Sequence, residues 1–432
     1  MKKNFQRVLQ AICVLTAGVI IGFTLICVMY ALPTDRVSAH VQESGNELVA
    51  EGDYWVMMPQ KDNTILDNFT DCIMLLSSAY SGDEGIIEKA AINYRTYQTG
   101  MTKEESCQVC GTVPEDQQNV VSYPRYWHGY MVVLKPLLIF LNLGQIRDVN
   151  MFVVLSFMVI TCILLHRQKK VRYIIPYLLT CCFINPFTVS NSLQNSTVFH
   201  VTSIAVIVML IFYEKKKFSD QLWMYFMIVG MMTSYVDFLT YPVVSMALPL
   251  MFYLIVCKES SLKRNLISVV TYSATWGVGY VGMWASKWIL SSVLMGKNYI
   301  TEAVESIMFR SGNVVGEKNI TLLDVFIKLS RYLAKSSFMY LAMIFIFACA
   351  ILLVITRRKW NKTSKSLMFL IISVYPYIWF TLTKNHSYIH TIFTYRDMSI
   401  LLMGISCALL PMINWENVRG CLRIKQNGRT DI

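Results

Sequence analysis

Ten largely apolar stretches, distributed along the chain, limit what it can fold into: residues 9–32, 149–165, 173–190, 197–213, 221–240, 242–257, 265–286, 337–356, 366–383 and 393–411. A bilayer-spanning helix needs about 20 such residues, and in hydrocarbon only a helix or a closed barrel satisfies its own backbone. The expected fold class is therefore an all-α polytopic membrane protein with about ten transmembrane helices. Composition agrees, since 55% of the 432 residues are hydrophobic and 15% charged, with a mean hydropathy of +0.45. Soluble domains average about 45–50% and ~25%, so an ordinary soluble enzyme and a disordered chain are both excluded. Lys2, Lys3 and Arg7 precede the first stretch as in a signal peptide. The apolar run to Leu32 exceeds the about 7–15 residues of a cleavable core, so an uncleaved first span is expected.

The net charge of +12 would suggest nucleic acid on a soluble protein, but its distribution argues otherwise. With the amino terminus in the cytoplasm, the inside segments are residues 1–8, HRQKKVR (166–172), the loop opening with EKKK (214–217), KESSLKR (258–264), RRKWNKTSK (357–365) and the tail 412–432. Together they carry 22 basic and 5 acidic residues, leaving 17 basic and 22 acidic outside. Short basic loops on one side are the positive-inside signal. Both termini are expected in the cytoplasm, and no nucleic-acid partner is implied.

Residues 128–146 (HGYMVVLKPLLIFLNLGQI) tempt an eleventh span. That span would put HRQKKVR outside and reverse every later loop, and it would bury Lys135-Pro136 at mid-segment. The segment reads instead as an interfacial or re-entrant helix on the outer face. Two long outer loops follow from this arrangement, about 33–148 and 287–336, within a single integral membrane domain (1–432). No internal repeat or low-complexity linker is present, so the mass available for chemistry lies outside.

In the first outer loop, TILDNFTDCIMLLSSAY (64–80) sets Ile65, Phe69, Cys72, Ile73, Leu76 and Tyr80 on one helical stripe, with Asp67 and Asp71 opposite. It reads as an amphipathic helix lying on the membrane with its acids outward, and Thr64-x-x-Asp67 fits a capping box. Cys107-x-x-Cys110 in the same loop reads as a local disulfide; zinc would require two more ligands at suitable spacing.

The residues suited to chemistry gather towards one face. Asp35 follows the first span in LPTDR; Arg125 and His128 sit in YPRYWHGY; Asp237 lies near a span end in VDFLTYP. Lys287 sits between the tryptophans of WASKW, and Lys384, His386, His390, Tyr395 and Arg396 come from TKNHSYIHTIFTYR. An acid within a span is expensive and marks a functional hypothesis. Trp and Tyr at span ends also serve as interface anchors, and Lys287 also fits a snorkelling lysine. Arg396 and Asp397 could simply pair. His386 and His390, four apart, share a helical face; a divalent cation is possible there, but without a third ligand no metal site is assigned.

An inside amino terminus, a first span, then a long outer loop with an early Asp and juxtamembrane helices resembles the GT-C superfamily of membrane glycosyltransferases. The strings LPTDR, DNFTDCIML, YPRYWHGY, DFLTYP, GMWASKW and NHSYIHTIFTYR look like those of polytopic membrane proteins of Firmicutes-type bacteria whose activity is unassigned. The GT-C resemblance implies a polyprenyl-phosphate-linked sugar donor, a glycan acceptor of the cell envelope and an acid after the first span acting as base. Asp35 occupies that place, followed here by Arg36 rather than a second acid, with Asp71 and Asp237 in reserve. A departing sugar phosphate needs cationic or hydrogen-bonding groups, for which Arg125, His128, Lys287, His386, His390 and Arg396 are the candidates. A transporter or flippase of lipid-linked glycans, and a polysaccharide polymerase or ligase, are the alternative readings.

Overall fold

The structure, a computed structural model, describes residues 2–97, 119–355 and 364–413; the Cys107/Cys110 pair and nearly all of the 412–432 tail lie outside the described residues. The helices of six or more residues are α1 (Lys2–Tyr30), α2 (Asp35–Glu51), α3 (Asn68–Ala79), α4 (Ile86–Ile92), α5 (Met131–Leu138), α6 (Leu143–Arg167), α7 (Ile174–Ile184), α8 (Pro186–Asn191), α9 (Leu193–Phe212) and α10 (Leu222–Val236). They continue with α11 (Val243–Val256), α12 (Leu262–Met295), α13 (Ile300–Ser311), α14 (Leu322–Ala334), α15 (Ser337–Ile355), α16 (Ser364–Ser373), α17 (Tyr375–Leu382), α18 (Lys384–Ile389) and α19 (Ser399–Leu409). Two antiparallel ribbons add the only sheet among the described residues: β1 (Arg95–Tyr97) with β2 (Asn119–Val121), and β3 (Val314–Val315) with β4 (Lys318–Asn319).

This is an all-α membrane protein with several spans. Five helical segments, Phe5–Tyr30, Leu143–Arg167, Leu193–Phe212, Ser364–Leu382 and Thr391–Met412, are long and apolar enough to cross a bilayer. Helices α14 and α15, bent by 93°, pass the same test of length and apolarity only when counted as one element, a broken span or a re-entrant loop. The remaining apolar stretches form shorter or more polar helices, each for a local reason. The stretch 173–190 breaks where Asn185 turns left-handed (φ +68°) and Pro186 starts the next helix. The stretch 221–240 stops at Val236, before Asp237. Residues 265–286 lie inside the 34-residue α12, whose polar positions dilute its hydropathy.

The segment 128–146 yields only the eight-residue α5, about 12 Å long and no span. It ends ahead of a capping box in which Asn142 and Gln145 exchange hydrogen bonds to open α6. Lys135 is buried within it, its ammonium 5.8 Å from the Tyr30 ring centre.

Of the apolar clusters among the described residues, two large ones hold most of the bundle. One lies among α7, α9, α10, α11, α12, α16 and α19. The other joins α1 and α10 to α2, α3 and α5, which cover one end of the bundle. Where α10 crosses α12, glycine is required on both sides. A Cβ on Gly230 would stand 2.1 Å from the Trp276 carbonyl oxygen, and one on Gly279 would stand 2.0 Å from that of Met227.

Helix α3 departs from the surface helix expected of its sequence. It begins at Asn68 with Asp67 as its own N-cap, accepting from Thr70 N (3.1 Å) and Thr70 Oγ1 (2.9 Å). Thr64 does not cap it, because its hydroxyl closes the preceding turn on the Lys61 carbonyl at 2.8 Å. Asp67 is 4% exposed and Asp71 not at all, so the acids do not face water. Asp71 points inward because the amino terminus of α9 descends onto it.

Candidate functional site

Helices α2 and α3 carry two of the acids proposed from the sequence. Asp35 opens α2 and is solvent-exposed. Asp71 accepts from the backbone N–H groups of Leu193 (2.9 Å) and Gln194 (3.0 Å), first-turn donors of α9 that have no partner within the helix. Burial pushes its carboxyl up to about 7, against the opposing pull of these N–H groups and of Arg147. Arg147 in turn bonds Glu47 and Glu51, each at 2.7 Å, and Asn68 at 3.3 Å. This network ties α2 and α3 to α6.

Two of the cations proposed from the sequence close helix ends. Lys287 is fully buried and donates to the Ala90 carbonyl (2.9 Å) and Asn93 Oδ1 (2.5 Å) at the carboxyl end of α4. Arg396, also fully buried, donates through Nε to the last carbonyl of α7, Ile184, at 3.0 Å, and through Nη1 to the Ile392 carbonyl at 3.1 Å. Cations favour these positions because unsatisfied carbonyls concentrate negative charge there. Arg396 and Asp397 form no ion pair. Asp397 faces the N–H groups of Val243 and Val244 at the start of α11, without closing hydrogen-bond geometry to either.

The turn after α10 organises a different group of residues. Both Asp237 oxygens accept from Thr240 N at 3.1 Å, and Thr240 Oγ1 adds a bond to Oδ1 at 2.5 Å, locking Asp237-Phe238-Leu239-Thr240. This permits the left-handed φ of +68° at Leu239, costly for a residue with a Cβ. Phe238 enters a shelf of rings, with centroids 5.2 Å from Tyr126, 5.3 Å from His128 and 6.3 Å from Tyr123. The Leu239 carbonyl accepts from His386 Nε2 at 2.7 Å.

His386 Nδ1 accepts from Arg310 Nη1 at 3.3 Å. Its ring centre stands 4.7 Å from that of His390, which stacks on Phe393. Burial, then His390 and Arg310, hold the His386 imidazole well below its ordinary pKa, so it is neutral and serves as a relay of hydrogen bonds. The Arg310 guanidinium lies 5.7 Å from the Tyr126 ring centre, half-buried and in no ion pair among the described residues.

His128 and Arg125 border the same shelf. His128, at φ +56°, bonds the Tyr123 carbonyl through Nε2 (3.0 Å) and Tyr130 Oη through Nδ1 (3.1 Å). A carbonyl only accepts, so Nε2 carries the proton and Nδ1 accepts from Tyr130. Burial foremost, then Lys287, lowers its pKa to about 3. The Arg125 carbonyl accepts from the indole N–H groups of Trp284 (2.9 Å) and Trp288 (3.0 Å), and its guanidinium reaches Glu302 at 3.5 Å.

The structure thus gathers Asp237, His386, His390, His128 and Arg125 around one aromatic shelf. Asp35, Asp71, Lys287 and Arg396 share no bond or ring contact with it. Sequence reasoning missed Arg310 and Tyr126. The available signal for Arg310 was a lone basic residue in the last turn of an amphipathic helix. Among the described residues, no three His, Cys, Asp or Glu side chains are placed to hold a metal ion. Comparison with protein families, curated proteins and solved structures finds no match.

Proposed function

We propose that this protein is a glycosyltransferase acting at the outer membrane face, transferring sugar from a polyprenyl-phosphate-linked donor to a cell-envelope glycan. The observation supporting this reading is a fixed buried carboxylate, Asp237, sharing an aromatic-walled site with Arg310, a guanidinium in no ion pair among the described residues. Aromatic faces suit sugar rings, and Arg310 with Arg125 suits a phosphate. In the proposed step the acceptor hydroxyl oxygen attacks the anomeric carbon as the bond from that carbon to the phosphate oxygen breaks. Polyprenyl phosphate departs with the electron pair, and the hydroxyl proton passes to Asp237. A group held this way needs no reorganisation as charge develops. The proposal places ten spans across the membrane with both termini in the cytoplasm, resting on the division of charge between loops.

The test is a proteoliposome assay with labelled lipid-linked sugar and an envelope-glycan acceptor, with and without a divalent cation. Glycoside formation that Asp237→Asn lowers by about 10²–10⁴-fold is the expected result. A second reading, transport of the lipid-linked glycan, draws on the helix interruptions at Asn185 and between α14 and α15. Movement of label between leaflets without a new glycoside would select it.

A further inference from the structure

A groove of about 370 Å³ runs along the side of the bundle between α3, α5, α6 and α9. Met74, Leu134, Leu137, Ile146, Val153 and Val201 are typical of its lining, and no Asp, Glu, Lys or Arg contributes. A sugar, phosphate or peptide would find no charged partner there, while a hydrocarbon chain would bury apolar surface throughout. Beside the groove, α6 and α9 present Phe152 (73% exposed) and Ile204 (51% exposed), on helices apolar enough to cross a bilayer. The opening therefore faces hydrocarbon.

Of the polar side chains in this wall, Ser196 and Thr197 bond back to their own helix, whereas two others each keep a free atom. His200 Nε2 and Asn150 Oδ1 are buried and have no hydrogen-bond partner. Each lies seven residues into its helix, α9 and α6 respectively, so each is about 10 Å below the helix start. Both starts lie at the same end of the bundle: Asn142 bonds Glu43 of α2 at 2.9 Å, and Asp71 of α3 caps α9. The two atoms therefore sit at one depth. A buried ring N–H left unpaired is costly, so an occupant that accepts from His200 is favoured.

We propose that this groove binds one acyl chain of an ester-linked membrane glycerolipid, with an ester carbonyl accepting from His200. The depth of the polar atoms decides between lipids. A polyprenyl chain carries no polar atom beyond its phosphate and would leave His200 Nε2 unsatisfied. An ester-linked lipid brings carbonyl oxygens, which His200 Nε2–H can serve, directly above its hydrocarbon. Helix α5, lining the groove through Val133, Leu134 and Leu137, forms its roof. The inference does not rest on the transfer reading, since lipid occupancy is read without any activity.

The experiment places the full chain in phosphatidylglycerol nanodiscs containing a small fraction of phosphatidylglycerol with a diazirine near the carboxyl end of one acyl chain. After irradiation, adducts should concentrate on peptides covering 149–157 and 196–204. Val201→Trp, which fills the groove, should lower them at least about fivefold while sparing α12 peptides around Val278 and Val281. His200→Leu, which removes the ring N–H with little change in side-chain volume, should lower co-purifying glycerolipid severalfold by native mass spectrometry. Adducts distributed over all lipid-facing helices in proportion to exposure would overturn the proposal. So would displacement of the probe from these peptides by polyprenyl phosphate, which would make the groove the donor's.

Discussion

Arg310 and His386 share a hydrogen bond that fixes both residues: Arg310 Nη1 donates to Nδ1 across 3.3 Å while Nε2 of the same ring donates to the Leu239 carbonyl at 2.7 Å. The ring can accept from Arg310 only when neutral, and its burial keeps it so. His386 thus aims a guanidinium at the aromatic shelf from a turn locked by Asp237.

Arg310→Ala should lower kcat/KM in the transfer assay by about 10²–10³-fold, the range for removing one preorganised charge-stabilising group. Arg310→Lys should recover only part of this, because an ammonium lacks the fork that grips two phosphate oxygens. Equal rates for wild type and Arg310→Ala would remove this guanidinium from the chemistry.

His386→Gln tests the positioning role separately. Glutamine can still accept from Arg310 but cannot reach the Leu239 carbonyl with the same rigid geometry, so kcat should fall about tenfold with KM rising less. A structural role alone would instead appear as a lower Tm with kinetics unchanged in the surviving folded fraction.

The apolar runs of the sequence reappear as helices, because desolvation of side chains is a local property and survives any arrangement of neighbours. Their division was less legible. The Asn185-Pro186 pair is a turn signal inside the apolar stretch 173–190, and it splits that stretch into α7 and α8. Site residues divided on range. Asp237 could be singled out because its cost follows from its own segment. Asp71, Lys287 and Arg396 owe their surroundings to partners more than a hundred residues away: the α9 terminus for Asp71, the α4 end for Lys287 and the α7 end for Arg396. No spacing in the sequence reports those pairings. Arg310 was hidden because nothing local separates it from any other exposed-loop cation.

Lys287→Met should destabilise the protein by about 1–3 kcal/mol, since the Ala90 carbonyl and Asn93 Oδ1 lose a buried donor without water to replace it. The observable is a lower Tm in detergent together with earlier proteolysis around α4. If its ammonium instead bound the donor phosphate, this variant would keep its Tm and raise KM.

Asp71 should make stability pH-dependent with a defined sign. Its carboxyl holds a proton up to about pH 7 in the folded protein and to about 3.9 when unfolded. Between those values the folded state binds more protons, so stability falls as pH rises from about 4 to about 7 and levels off above. The difference corresponds to at most about 4 kcal/mol. Asp71→Asn should flatten that part of the Tm–pH curve; an unchanged slope would assign the dependence to other groups.

The crossing of α10 and α12 gives the sharpest stability prediction. Gly230 and Gly279 let backbones touch, and a methyl on either would need space already taken by a carbonyl oxygen at 2.1 Å or 2.0 Å. Backbone cannot step aside as a flexible side chain does, so the helices must separate along the seam. Gly230→Ala and Gly279→Ala should each cost more than the about 1–3 kcal/mol of ordinary overpacking, although alanine favours an isolated helix by about 1 kcal/mol. Gly277, on the same helix with nothing within 4 Å of its Cβ position, is the internal control. Gly277→Ala should leave Tm unchanged or raised; a comparable loss there would show that helix α12, rather than its crossing with α10, is sensitive to the substitution.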